Sequence, residues 1–267
     1  MNNKGFRLIM TLQPIEPGVI VLPIDYQYAL GCSLYNAMAQ ANDKFASWLH
    51  SEGYGIDNKR FKLFTYSGLY VKKYSIDKDK LIVHEQPITF QISAFNPEIA
   101  EHLVIGSFKK QFIELVDKKI KAVFQINQVE ILPELQFQQE MTYRLLTPCV
   151  ISYKTERGTT YYSPDNTEID YPKLMINNLI NKYIIASGYE GSQAIAEKIL
   201  NACAIEVLTP PRSKLITIKR NTPHETKVRG FLYSFKLKAP LDIHRIGYYA
   251  GFGEKNSMGF GWGEVVN

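Results

Sequence analysis

Five glycines fall within the thirteen residues GFGEKNSMGFGWG, Gly251 to Gly263. Such a density marks a tight turn or a ligand cradle, because glycine adopts backbone conformations that other residues resist. The way the run is built argues against two nucleotide-binding folds. A Walker loop ends in Gly-Lys-Ser/Thr, and the dinucleotide fingerprint needs three glycines at set offsets, a helix behind them and an acidic residue about twenty positions on. Here Asn256 stands in the place of the third glycine, and the few residues after Gly263 are too short for the helix and returning strand of such a unit. Met258, Phe260 and Trp262 alternate with Gly259, Gly261 and Gly263, so period-two spacing predicts a strand with its glycines on one face. A helix packed closely over that face is one reading, and a cradle for a ligand's backbone is the other.

The rest of the chain mixes strand and helix periods. FRLIMTLQ, Phe6 to Gln13, places Phe6, Leu8, Met10 and Leu12 on one face and reads as a strand. In YQYALGCSLYNAMAQA, Leu30, Leu34, Ala37 and Met38 recur at helical spacing. Asn42 or Asp43 then offers an N-cap to a short second helix, Lys44 to about Ser51, which the glycine of SEGYG ends. Residues from Phe61 to Val71, KLIVHE and PITFQISAF read as strands, and SIDKDKL as a hairpin turn. PEIAEHLVIGSFKKQ follows as a helix with Pro97 near its first turn, and KAVFQINQVEIL returns to strand. The polar run LPELQFQQE marks a boundary, placed between residues 137 and 138. Beyond it the pattern partly repeats: strand-like MTYRLLTPCVISYK, a long helix YPKLMINNLINKYIIAS, and the strands AIEVL, KLITIKR and GFLYSFKLKA. Two halves that each mix helices and strands suit a pair of α+β domains, although no residue-level repeat joins them.

A net charge of +5 and a sequence pI near 8.9 put a polyanion such as nucleic acid among the partners. Cys32, Cys149 and Cys203 are odd in number and widely separated, which argues against a disulfide scaffold and a zinc site. No stretch approaches the length of a membrane span and the start lacks a signal-peptide pattern, so a soluble cytoplasmic protein is expected. None of His50, His84, His102, His224 and His244 lies at metal-ligand spacing from another histidine or a cysteine, so neither metal nor cofactor is expected. His50 is the most informative of them, because it ends a short helix, where free carbonyls favour a cationic side chain, and a glycine loop follows.

SLYNAMAQANDKFASWLH, KLFTYSGL and IGYYAGFGEKNSMGFG, in that order and at those positions, resemble the CRISPR-associated repeat-processing endoribonucleases of the Cas six family, in the RAMP superfamily. The closing glycine loop is the most specific of these elements, and the likeness covers essentially the whole chain. The chain departs from the family in its longer SEGYGIDNKRF between His50 and Lys62.

The resemblance implies an α+β fold of two tandem ferredoxin-like domains. Residues 1–137 would carry the catalytic group His50, Tyr35 and Lys62, and residues 138–267 the glycine-rich loop. Within that loop Gly251, Gly253, Lys255, Asn256, Ser257, Gly259 and Gly261 would contact RNA. The implied activity is metal-independent cleavage of CRISPR repeat RNA in a precursor transcript, with other CRISPR effector subunits as further partners. A non-catalytic RNA-binding subunit of the same fold is the competing reading.

Elementary chemistry agrees with these residue types. RNA cleaves itself when its 2′-hydroxyl is deprotonated and attacks the adjacent phosphorus in line with the departing 5′-oxygen. A histidine transfers protons near neutral pH, and a lysine ammonium offsets charge growing on the phosphoryl oxygens. Tyrosine, with an ordinary pKa near ~10, is a poor base unless a cation lowers it. The order of importance expected is therefore His50, Lys62, Tyr35, with the group that protonates the 5′-oxygen left open.

Overall fold

The period-two strand Phe6–Pro14 buries Leu8, Met10 and Leu12, and it lies at the centre of the first of two similar units in the computed structural model. The structure describes residues 5–16, 18–56, 59–156, 158–188 and 193–266. The first sheet has five strands, ordered Phe64–Tyr66, Ile88–Ala94, Phe6–Pro14, Lys121–Ile131 and Phe112–Val116, with antiparallel pairing throughout. Helices α1 (Tyr26–Ala41), α2 (Asp43–Ser51) and α3 (Pro97–Lys110) bring Leu30, Leu34, Leu49, Ile99 and Leu103 into one core with Met10, Leu12, Phe90 and Phe124. Asn96 caps α3 by accepting from the Glu98 amide at 2.9 Å, and Pro97 opens its first turn, where no N–H is needed.

In the second unit the strands are ordered Ala204–Val207, Ser234–Lys238, Glu140–Leu145 and Gly263–Val265. Helices α4 (Tyr171–Ser187), α5 (Gln193–Asn201) and α6 (Leu241–Ala250) complete it. Numbered along the chain, the core strands of both sheets stand in the order two, three, one, four, which is the ferredoxin-like βαββαβ arrangement. A hairpin, Arg212–Ile218 with Thr226–Leu232, stands between the second and third strands of the second unit.

The units are fastened by side chains that cross between them. Arg7, 3% exposed, donates to the carbonyls of Tyr248 at 3.0 Å and Gly263 at 2.7 Å, and its guanidinium lies over the rings of Tyr248 and Trp262. The Tyr70 hydroxyl donates to Glu264 at 2.8 Å, and Arg220 on the hairpin turn pairs with Asp25 at the start of α1. Leu63 and Phe95 leave the first unit to join the core of the second.

Two expectations change. The strand expected from Phe61 to Val71 is broken, because Leu63 takes φ 53° to reach the second core, and Phe64–Tyr66 is the part that pairs with the sheet. The strand expected over Met258–Gly263 is instead a 3-10 turn, Asn256–Met258, followed by irregular chain, and a strand starts only at Gly263. Positive φ at Gly259 and Gly261 breaks the alternation that spacing alone suggested. Among the described residues no helix is long and apolar enough to cross a membrane.

Candidate RNA-cleavage site

One residue makes the corner that brings Tyr35 to His50. The Asn42 amide closes α1 on the Met38 carbonyl at 2.8 Å, and its side chain caps α2 by accepting from the Phe45 amide at 3.1 Å. The two helices fold back, and the rings of Tyr35 and His50 meet edge-on with centroids 5.1 Å apart. The Phe64 ring also meets Tyr35, with centroids 5.6 Å apart. Burial pushes the Tyr35 hydroxyl up to about 12, and a hydrogen bond with Ser257 only partly offsets it. At neutral pH Tyr35 is therefore a neutral phenol that can donate a hydrogen bond but does not act as a base. His50 is exposed in the last turn of α2.

The long segment after His50 folds on itself. Tyr54–Ile56 pairs with Lys59–Phe61, so the extra residues form a hairpin and the chain returns to where it left α2. Lys62 Nζ consequently donates to the His50 carbonyl at 2.9 Å. Gly53 makes the turn with φ +62°, and a Cβ there would lie 2.7 Å from the Phe61 carbonyl oxygen. The Lys62 ammonium is held below its ordinary pKa by burial and then by repulsion from Arg60, with Glu52 opposing. Tyr35, His50 and Lys62 thus converge at the C-terminal end of α2.

The glycine loop approaches this place from the second unit. Gly251, Gly253, Gly259 and Gly261 are buried, and added Cβ atoms would strike protein. At Gly261 the clash is with the Phe252 carbonyl oxygen at 1.9 Å, and only glycine permits that approach. The Asn256 side chain is turned inward, donating to the carbonyls of Phe252 at 3.1 Å and Phe260 at 3.0 Å. Beneath it lies Lys182 of α4, 1% exposed, which donates to the carbonyls of Gly251 at 2.6 Å and Gly253 at 2.7 Å and to Asn256 Oδ1 at 2.7 Å. On the outer side Lys255 is exposed and Ser257 half-buried against Tyr35. Gln27 of α1 donates to the Gly259 carbonyl at 2.7 Å, and Thr65 to that of Phe260 at 3.1 Å. The loop is therefore wedged between α4 below and the Tyr35 helix above.

Lys182, Gln27 and Arg7 were not singled out by the sequence. The available signal for Lys182 was its helical register with the apolar Met175 and Leu179, which makes a core position of a charged residue. His244, by contrast, is a core histidine, bonded to the Tyr143 hydroxyl at 2.9 Å and held below its ordinary pKa by burial. Among the described residues no three of His, Cys, Asp and Glu are grouped to hold a metal ion.

Comparison with known proteins bears on both halves. The family model described as CRISPR-associated protein Cas6, N-terminal, matches residues 21–129, and that described as CRISPR associated protein Cas6, C-terminal, matches residues 130–265. A relative in Methanocaldococcus jannaschii, named CRISPR-associated endoribonuclease Cas6 1, is 30% identical over 99% of this chain and 93% of its own length. The Pyrococcus furiosus protein named CRISPR-associated endoribonuclease Cas6 is 27% identical over 91% of this chain and 83% of its own. Among solved structures, the product of a Cas6-related gene of Pyrococcus furiosus superposes with a TM-score of 0.79 at 19% identity, covering 99% of each chain.

Proposed function

The chain belongs to the Cas6 family of CRISPR-associated proteins, and we propose that it is an endoribonuclease that cleaves repeat RNA within a precursor CRISPR transcript. The observation that carries the reading is the convergence of Tyr35, His50 and Lys62 at the end of α2, with the glycine loop laid against Tyr35. These groups suit a reaction in which the RNA supplies its own nucleophile. The 2′-oxygen forms a bond to phosphorus as the bond from phosphorus to the 5′-oxygen breaks, giving a 2′,3′-cyclic phosphate and a 5′-hydroxyl without a metal ion. His50, exposed at the end of α2, takes the proton from the 2′-hydroxyl. Lys62, with its ammonium already lowered by burial, faces the growing phosphoryl charge and can yield a proton to the leaving oxygen. Tyr35 holds and orients.

RNA would reach the site across a basic surface. Lys255 stands on the outer side of the loop, and Lys214, Lys219, Lys227 and Arg229 are exposed on the neighbouring hairpin. The charge of Lys219 is felt at Cys32 of α1, one helical turn from Tyr35. In this account the glycines of the loop shape it, and Lys255 and Ser257 meet the RNA.

His50→Ala separates this reading from a purely structural one. The rate of repeat-RNA cleavage under single turnover should fall by about 10²–10⁴-fold, the usual contribution of a positioned proton-transfer group, while RNA affinity holds. Loss of folding and binding together, or an unchanged rate, would remove His50 from the chemistry.

A further inference from the structure

Lys182 is not near the reacting groups, yet it determines where part of the site lies. An ammonium offers three donors and no acceptor, and here each has its own partner: the carbonyls of Gly251 and Gly253 and the side chain of Asn256. Asn256 passes the constraint on. Its oxygen takes the lysine, and its amide nitrogen ties the two arms of the loop through Phe252 and Phe260. The next residue is Ser257, whose carbonyl oxygen lies 3.6 Å from where a Cβ on Gly31 of α1 would stand, and Gln27 of the same helix holds the Gly259 carbonyl at 2.7 Å.

We propose that Lys182 is a positioning residue for RNA cleavage, acting through Asn256 and the turn that follows to hold Ser257 and the rest of the loop against α1, the helix that carries Tyr35. The proposal rests on the reading of this site as an RNA-cleaving one. Burying an ammonium is costly, and an apolar side chain would fill a core position more cheaply. What the lysine adds is a fixed height for the loop above α4. Without it three buried acceptors lose their donor and the turn is free to shift. A displacement of about 1 Å at a reacting site costs on the order of 10²-fold in rate.

The test is a set of double-mutant cycles read by single-turnover cleavage of saturating repeat RNA, well below each variant's melting temperature. Lys182→Met, which keeps the length and removes the donors, should slow cleavage by about 10²-fold. Combined with Tyr35→Phe it should be no slower than the slower single variant, because the loop that Lys182 fixes acts on the reaction through the placement of the Tyr35 hydroxyl. Combined with Lys62→Met the losses should multiply. A merely structural lysine would give multiplicative losses in both cycles, and that result overturns the proposal. If Lys182→Met does not fold, Ser257→Ala decides. A slowed rate that is not additive with Tyr35→Phe supports the link, and a wild-type rate refutes it. Wild-type protein that binds but never cuts repeat RNA would overturn the functional reading itself, whereas normal cutting with additive cycles overturns only the role of Lys182.

Discussion

Gly53→Ala tests the placement of Lys62 without altering any group that touches RNA in the proposed mechanism. Gly53 has φ +62°, where an alanine costs about 1–2 kcal/mol against the β-carbon clash. The added Cβ would also lie 2.7 Å from the Phe61 carbonyl oxygen, 2.8 Å from Lys62 Cδ and 2.9 Å from Lys62 Nζ. Backbone on one side and the lysine stem on the other leave the ammonium as the part that yields, and its 2.9 Å bond to the His50 carbonyl breaks. A hydrogen bond from a charged group contributes about 1.5–3 kcal/mol. If Lys62 makes such a bond to the reacting phosphate, its loss slows the reaction by roughly 10- to 150-fold at about 1.4 kcal/mol per decade. Gly53→Ala should therefore slow single-turnover cleavage by up to that amount, and the double variant with Lys62→Met should be no slower than Lys62→Met alone. Urea unfolding of the same samples reports the backbone strain separately. A Gly53→Ala protein that is destabilised yet cleaves at the wild-type rate would refute the claim that the site depends on where this turn sets Lys62.

Stability should rise with pH between about 7 and 9 because of Lys182. Burial lowers its pKa from 10.5 to about 7, so over this range the unfolded chain binds more protons than the folded one, whose three-donor ammonium gives way to a two-donor amine, and the stability so conferred is lost as pH falls toward 7. The nearby Cys149 thiol is pushed up to about 11 by burial and works in the opposite sense above about 9, and Glu254 is the remaining charged neighbour. Lys182→Met should flatten the slope in urea titrations at pH 7, 8 and 9, and an equal slope in the variant would contradict this assignment. Arg7→Met should lower stability by on the order of 1–3 kcal/mol, the balance of two charge-assisted hydrogen bonds lost and a buried guanidinium removed. A more stable variant would show that burial of Arg7 outweighs its contacts.

Where local pattern and tertiary structure agree, the fold could be read from sequence. The helical spacing of Leu30, Leu34, Ala37 and Met38, the Asn42 cap and the proline-led helix at Pro97 all stand where expected, because each depends on neighbours in the chain. The long helix YPKLMINNLINKYIIAS is α4. What failed depended on partners distant in the chain. Leu63 leaves its strand for a core made by residues far along the chain, and the Gly259–Trp262 alternation is bent around Asn256 and Lys182. The inward aim of the Asn256 amide follows from a lysine 74 residues earlier, a relation no local spacing reveals. The contact of Lys62 with His50 was obscured by the long insert, whose hairpin cancels its own length.

In the proposed reaction the RNA provides the nucleophile and the protein the proton transfers. This is tested most directly by cleavage of repeat RNA in excess EDTA, with and without a single 2′-deoxy substitution just upstream of the scissile phosphate. The parent RNA should be cut in EDTA to a 5′-hydroxyl and a 2′,3′-cyclic phosphate, and the deoxy substrate should bind as tightly but not be cut. Cleavage that stops in EDTA, survives the substitution or leaves a 5′-phosphate, as attack by a metal-activated water would, would contradict it.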